Sequence, residues 1–539
     1  MKYYITTPLY YVNDNPHIGS AYPTIACDFL AGHLVQTGAQ LAFLTGTDEH
    51  GQKIEKAAAA RDLKPLEHCD EIVDEFKRLW EFLEIKNTHF VRTSATKHKE
   101  FVTKFFRKVR DNGFIYKGKY TGLYCVSCED FKLEKDLDEE NGKLYCPVHK
   151  QAVEEYSQDN YFFALSKFEA ELKKYIELNP DFISPAYRKN EVLSLLDEGL
   201  KDFPISRLGL DWGIDIPDDD SQKIYVWFDA LLGYISALGE DVDSFWKNDS
   251  EHQVIHIIGK DILRFHAIYW PAMLMAAGYP LPKKVFGHGF LTKDGMKMGK
   301  TLGNVIDPFA LSTEFGADAV RFFFLREFPF GRDGDYSRAA MINRLNSDLA
   351  NNLGNLLNRS TNLLRKYFSE EDLTQIFSSK LPSENLLEQN TALASSIHYF
   401  TEFQKNVQEI DFFNAFNSLF NALNEMNLHM SNTAPWTLLK NGNAAEKLIA
   451  FNCLYAALES CRKAAICLAP LTPNLSKNIF IQLGIINEDF DIENRYKALA
   501  ETFSFSHLEK NPLSLENLNS ILASQSKPVF ERILEKEAV

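Results

Sequence analysis

Apolar residues in the first third of the chain follow two rhythms. Continuous runs, "YYITTPLYYV" at the start and "AFLTG" from Ala42, alternate with longer stretches in which apolar residues recur every three or four positions. The first run predicts a buried strand over 5–12, and the spacing from Ser20 onward predicts a helix. Strand and helix alternate to about Gly113. That predicts a doubly wound parallel sheet, because parallel strands need a crossover between them. Residues 116–150 interrupt the rhythm with short segments, glycines and clustered cysteines. It resumes in "KIYVWFDALLGYIS" and "HQVIHIIGKDILRFHAIYWPAMLMAAG", so an inserted module splits a single sheet.

Past about Ser337 the strand signals stop. In "INRLNSDLANNLGNLLNRSTNLLRKYF" apolar residues fall at 345, 349, 353, 356, 357, 363 and 364, the stripe of an amphipathic helix. Similar patterns over 390–430 and 444–480 predict a helical bundle, and 511–539 reads as a tail returning to the body.

Composition narrows the picture modestly. A chain of 539 residues with 45% apolar and 24% charged residues has the make-up of several globular domains. No apolar run reaches the roughly 18 residues that span a bilayer, and no basic-then-apolar leader opens the chain. We therefore expect no membrane partner and a cytoplasmic location. The formal net charge of -16 argues against one long basic surface coating nucleic acid, while allowing a local contact.

Eight cysteines are too few for a disulfide scaffold in a chain this long. Their spacing is more telling. Cys125 and Cys128 form a Cys-x-x-Cys knuckle, and Cys146 and His149 repeat the spacing after a linker. Three thiolates and an imidazole make a closed tetrahedral set with no position left for water. We expect one structural Zn²⁺ holding a module too small to bury its own core.

Two further motifs carry chemistry. In "NPHIGS", His17 stands at a predicted helix N-terminus, where free N–H groups favour an anion and an imidazole can donate to phosphate. Gly19 allows close backbone packing there. Far downstream, "GHGFLTKDGMKMGKTLGN" carries Lys297 and Lys300 on a loop flanked by glycines, able to close over a polyphosphate. Taken alone, the histidine reads more readily as a capping or packing residue, and the lysine pair as a solvated charged loop.

Together, on the two halves of one split sheet, they resemble the HIGH and KMSKS signatures of class I aminoacyl-tRNA synthetases. Ser20 replaces the last histidine of the first signature, and Gly299-Lys300-Thr301 replaces Ser-Lys-Ser in the second. Ser20 keeps a hydrogen-bond donor but cannot become cationic. The stretches "PLYYVNDNPHIGS" and "YVWFDALLGYIS" further resemble the methionyl branch of that family, over roughly residues 1–510.

That resemblance implies a fold, an organisation and a set of roles. The fold is α/β: a split Rossmann-type doubly wound parallel sheet with an inserted zinc-knuckle module, followed by an all-α helical-bundle domain. The expected divisions are 1–115 and 225–336 for the two catalytic halves and 116–224 for the insertion, with its knuckle at 125–149. An anticodon-binding helical domain spans 337–510, and a tail spans 511–539. Leu9, Tyr11, Trp227, Ala230, Tyr234, Ile262 and His266 would line the methionine side-chain pocket, whose aromatic walls suit a polarizable thioether. Asp48, in "GTDEHG", would take the substrate ammonium.

His17, Ser20, Lys297 and Lys300 would be the catalytic residues acting on ATP, with Gly19, Gly259 and Asp261 as further ATP contacts. Asn355, Arg359 and Trp436 would read the tRNA anticodon, the indole by stacking and the polar pair by hydrogen bonds to base edges. The implied partners are ATP with Mg²⁺, L-methionine and tRNA(Met), for a monomeric ligase. A small-molecule ligase on the same fold would not need Asn355, Arg359 and Trp436. A decayed, non-catalytic RNA-binding scaffold would not need His17, Lys297, Lys300 and Asp48.

Overall fold

The structure is a computed structural model that describes residues 1–534 apart from 127–129, 133, 141, 149, 294, 299–303, 379–390 and 526. Some side chains within helices and strands, that of Lys297 among them, are also outside the description. The chain clusters into two compact units. One comprises residues 1–16, 42–79 and 87–288; the other comprises 17–41, 80–86 and 289–539.

The first unit is built on a six-stranded sheet. Its strands are β1 (Lys2–Tyr11), β2 (Gln40–Asp48), β3 (His89–Arg92), β4 (Ile183–Ser184), β5 (His252–Gly259) and β6 (Lys284–His288). Their spatial order is β3-β2-β1-β5-β6-β4. β1 runs parallel to β5, with Lys2 opposite His252 and Thr6 opposite His256. β5 with β6, β6 with β4 and β2 with β3 are parallel too. The strand order reverses between β1 and β5, which opens a crevice at the carboxyl ends of those two strands. Most of β1 and β5 is buried, as strands covered on both faces are, so their sequences are near-continuous apolar runs.

Apart from β4, the strands of the insertion pair antiparallel. Ile115–Cys125 pairs with Glu154–Phe163 along its length, from Ile115 opposite Phe163 to Tyr124 opposite Glu154. Ser206–Leu208 and Asp215–Ile216 flank Asp219–Ile224 in a separate three-stranded sheet. One apolar cluster, including Phe106, Phe163, Phe228, Tyr234 and Trp270, runs through this unit.

The second unit is mainly helical, and no strand among the described residues follows Gly334–Tyr336. The long helix Ala444–Leu468 opens on a capping box between Asn443 and Glu446 and is buried from Cys453 to its end. Asp28 carries a buried ion triad. It meets Arg321 Nη2 at 2.7 Å and also Arg495, while the spare guanidinium N–H groups donate to the carbonyls of Leu83, Glu84, Pro470 and Leu471. Both oxygens of a fully buried carboxylate are thereby satisfied.

One helical expectation is modified. The stripe over 342–367 is a helix, but its middle, Leu345–Gly354, is wound as a π-helix before α-helix resumes at Asn355–Tyr367. Apolar residues at 345, 349 and 353, repeating every four with no intervening three, follow that wider turn. Gly354 ends it, where a Cβ would sit 2.9 Å from the Leu349 carbonyl oxygen. The tail does return to the body. The Asn346 amide both donates to and accepts from the backbone of Ile533, at 2.9 and 2.8 Å.

Candidate active site

All eight residues read as a methionine pocket line one cavity of about 310 Å³ in the first unit. Leu9, Tyr11, Asp48, Trp227, Ala230, Tyr234, Ile262 and His266 are joined there by Lys53, Val226, Leu231 and Asp261. The volume is at the small end for ligand sites. The cavity opens at the strand-order reversal: Leu9 and Tyr11 end β1, Asp48 ends β2, and Asp261 and Ile262 follow β5.

The walls are set by close packing. Trp227 stacks on Phe265, with ring centroids 3.8 Å apart and planes 5° apart. Gly233 has no Cβ because the Leu9 side chain comes within 2.5 Å of where one would be. His266 lies in a short π-helix, Phe265–Tyr269. Its Nδ1 lies 3.0 Å from the Ile262 carbonyl, which can only accept, so Nδ1 carries the proton and Nε2 accepts from the Tyr234 hydroxyl at 2.8 Å. Burial pushes this imidazole down to about 4, so it is neutral at physiological pH. The wall therefore presents a neutral polar edge.

The "TDEH" run divides its labour. Asp48 lines the cavity. Glu49 faces away and is held by Arg92 Nε at 2.7 Å, Arg92 Nη2 at 2.9 Å and the hydroxyls of Thr47 and Ser94 at 2.6 and 2.5 Å. His50 points elsewhere again, its Nδ1 lying 2.6 Å from Asp229. Lys53 is a cavity residue that sequence reasoning missed. Its Nζ stands 5.5 Å from the Tyr11 ring centroid, and its only signal was nearness to the "TDEHG" run.

Gly259 and Asp261 also belong to the first unit. The Asp261 carboxylate leans over Gly259, to within 2.6 Å of where a Cβ would be, which explains the glycine at the end of β5.

In the second unit, His17 is the N-cap of the helix Ile18–Gln36. Its Nδ1 accepts the Gly19 N–H at 2.9 Å, which leaves the ring proton on Nε2. Gly19 is explained by the same contact, since a Cβ would lie 2.6 Å from His17 Cε1. Ser20 is buried in the first turn. The Ile18 N–H donates to the Ile306 carbonyl at 3.3 Å, so the chain leaving the lysine loop runs beside the histidine turn. Lys297 belongs to the strand Met296–Lys297; Lys300 lies outside the described residues.

Arg359 and Trp436 meet in the same unit, with the guanidinium carbon 5.0 Å from the indole ring. Trp436 follows Ala434, whose left-handed backbone (φ 46°) turns the chain out of Phe412–Thr433 and into Pro435–Asn441. Asn355 and Arg359 are exposed one turn apart on Asn355–Tyr367.

Of the four expected zinc ligands, Cys128 and His149 lie outside the described residues. Cys125 and Cys146 are fully buried and form no disulfide. Cys146 opens a turn closed by the Lys150 N–H on its own carbonyl at 2.8 Å. No group of three potential ligand side chains occurs among the described residues. No helix among them is long and apolar enough to cross a membrane.

Known proteins agree with this architecture. A family profile described as tRNA synthetases class I (M) matches residues 3–153 and 137–361. The methionine--tRNA ligase of Nostoc sp. is 44% identical over 548 residues, covering 99% of this chain and 98% of the relative. The chloroplastic/mitochondrial methionine--tRNA ligase of Arabidopsis thaliana is 48% identical over 497 residues, covering 90% of this chain and 78% of the relative. A solved structure of Mycobacterium tuberculosis methionyl-tRNA synthetase in complex with methionyl-adenylate superposes with a TM-score of 0.82 at 34% identity, covering 95% of this chain and 97% of that one. The chain belongs to the methionyl group of the class I tRNA synthetases.

Proposed function

We infer that the chain is a methionine--tRNA ligase: it activates L-methionine with ATP to methionyl-adenylate and pyrophosphate, then transfers methionine to the 3′ end of tRNA(Met). The observation that carries this reading is the 44% identity to a methionine--tRNA ligase across nearly the whole of both chains.

The substrate brings its own nucleophile. The methionine carboxylate attacks the α-phosphorus, and catalysis is positioning plus charge stabilisation. In our reading Asp48 holds the ammonium, while Leu9, Tyr11, Trp227, Ala230, Tyr234, Ile262 and His266 enclose the side chain. His17, with its proton on Nε2, donates to the phosphates; Gly19 and Ser20 support that turn. Lys297 and Lys300 hold the leaving pyrophosphate, and Gly259 and Asp261 contact the nucleotide. When bound with ATP, Mg²⁺ would supply screening of the triphosphate charge.

The helical region reads the anticodon through Asn355, Arg359 and Trp436. The indole stacks on an extruded base, and the exposed Arg359, already over the ring, reaches its edge. We assign one structural zinc to Cys125, Cys128, Cys146 and His149. Two buried thiols outside any disulfide suit it, and its chemistry would be to hold the knuckle closed. We also read the enzyme as a cytoplasmic monomer.

Amino-acid-dependent ATP–pyrophosphate exchange across all twenty amino acids tests the assignment. Signal with methionine alone is expected; silence with every amino acid would overturn it.

A further inference from the structure

Asp229 sits between two cavity residues, Trp227 and Ala230, yet is not itself among the lining residues. Its carboxylate is fully buried and each oxygen has one imidazole partner. Oδ2 lies 2.6 Å from His50 Nδ1, and Oδ1 lies 2.6 Å from His98 Nε2. With those two nitrogens donating, His98 Nδ1 is left to accept the Ser236 hydroxyl proton at 2.7 Å. Burial alone would raise the carboxyl pKa, but its two histidine partners hold it down to about 2, so the group is a carboxylate accepting from both sides.

The network reaches most of the segments that make the cavity. His50 follows Asp48 by two residues, and its carbonyl accepts the Tyr11 hydroxyl at 3.0 Å. Ser236 follows Tyr234 by two residues and ends its short helix, Gly233–Ser236. His98 belongs to the helix Thr96–Asp111, which supplies no cavity residue and anchors the network from outside.

We propose that Asp229, gripped by His50 and His98, is a positioning residue for the amino-acid site: it fixes the separation between the Asp48 end of β2 and the helices that carry Trp227, Ala230 and Tyr234. This rests on reading the cavity as the methionine site. The geometry needs a charged, double acceptor. An amide at 229 can accept from only one imidazole, so the other must give up its bond or shift its proton to the far ring nitrogen.

The test is ATP–pyrophosphate exchange with the full chain. Asp229→Asn should raise KM for methionine about tenfold or more while KM for ATP stays within about twofold. Ser236→Ala removes only the outermost bond and should raise KM for methionine about threefold with no change in thermal midpoint. An unchanged KM for methionine in folded Asp229→Asn overturns the proposal, as does a parallel rise in both constants with a lowered midpoint. If Asp229→Asn does not fold, an unchanged KM for methionine in Ser236→Ala overturns it. Ala230→Leu, which fills the cavity, separates the two levels. If it leaves methionine-dependent exchange intact, the reading of the cavity fails, whatever Asp229 does.

Discussion

Ile18 donates its backbone N–H to the carbonyl of Ile306, although the two stand on opposite sides of the inserted module in sequence. The bond ties the first turn of the histidine-capped helix to the irregular segment 304–307 that follows the lysine loop. The histidine turn and the chain just past the second signature are thus neighbours through backbone alone.

A charge clamp on pyrophosphate makes a kinetic prediction. Lys300→Ala should lower the rate of methionine-dependent ATP–pyrophosphate exchange about a hundredfold, with KM for methionine within about twofold, because a fixed cation acts where charge develops. An effect confined to affinity would refute the clamp.

Arg359 over Trp436 predicts a separation of the two half-reactions. Trp436→Ala should leave ATP–pyrophosphate exchange unchanged and lower kcat/KM for tRNA charging about 10- to 100-fold, the worth of one lost base stack. Equal losses in both assays would make Trp436 structural.

The Asp28 triad predicts a stability defect. Asp28→Asn would leave Arg321 and Arg495 buried without a counter-charge, and should cost about 3–5 kcal/mol by denaturant titration. A cost below about 1 kcal/mol would mean that the surrounding carbonyls suffice.

His33 predicts a pH dependence. Its imidazole is buried edge-on to Phe505, with no hydrogen-bond partner for either nitrogen among the described residues, and burial pushes it down to about 3. The unfolded histidine takes up its proton near the usual value of about 6.5. Between these values the unfolded state binds more protons. Stability that is complete above pH 6.5 is therefore lost as pH falls, by about 1.4 kcal/mol per unit. His33→Phe should remove that share, so from pH 7 to pH 5 the native chain should lose about 2 kcal/mol more than the variant. Parallel curves would show that His33 is not held neutral.

The knuckle predicts a stoichiometry. The purified chain should carry about one zinc, and Cys146→Ser should lose it and expose the 116–150 segment to protease without abolishing the rest of the fold. Retention of zinc by Cys146→Ser would remove that residue from the ligand set.

Much of this was legible in the sequence, for physical reasons. Buried parallel strands leave continuous apolar runs, so β1 and β5 announced themselves. The eight cavity residues came from the family resemblance of two short stretches, "GTDEHG" and "GKDILRFHA"; in the structure the ends of neighbouring parallel strands bring those stretches together. Less visible were features whose partners are remote. "YVWFDALLGYIS" contains Asp229, but nothing local says that it answers His50, 179 positions earlier. The π-helical turns around His266 and ahead of Asn355 were hidden too, since an apolar stripe fixes which side is buried more firmly than how tightly the backbone winds. The sequence allows His17 both a cap and a phosphate donor; the structure adds the bond from the Gly19 N–H that makes the cap.

That glycine has an awkward consequence. An added methyl group at residue 19 would not break the helix, since alanine winds more readily than glycine; it would push the imidazole aside. The lost cap costs about 1 kcal/mol, roughly what the alanine gains, so in our reading a thermal screen would pass over a change that turnover would register.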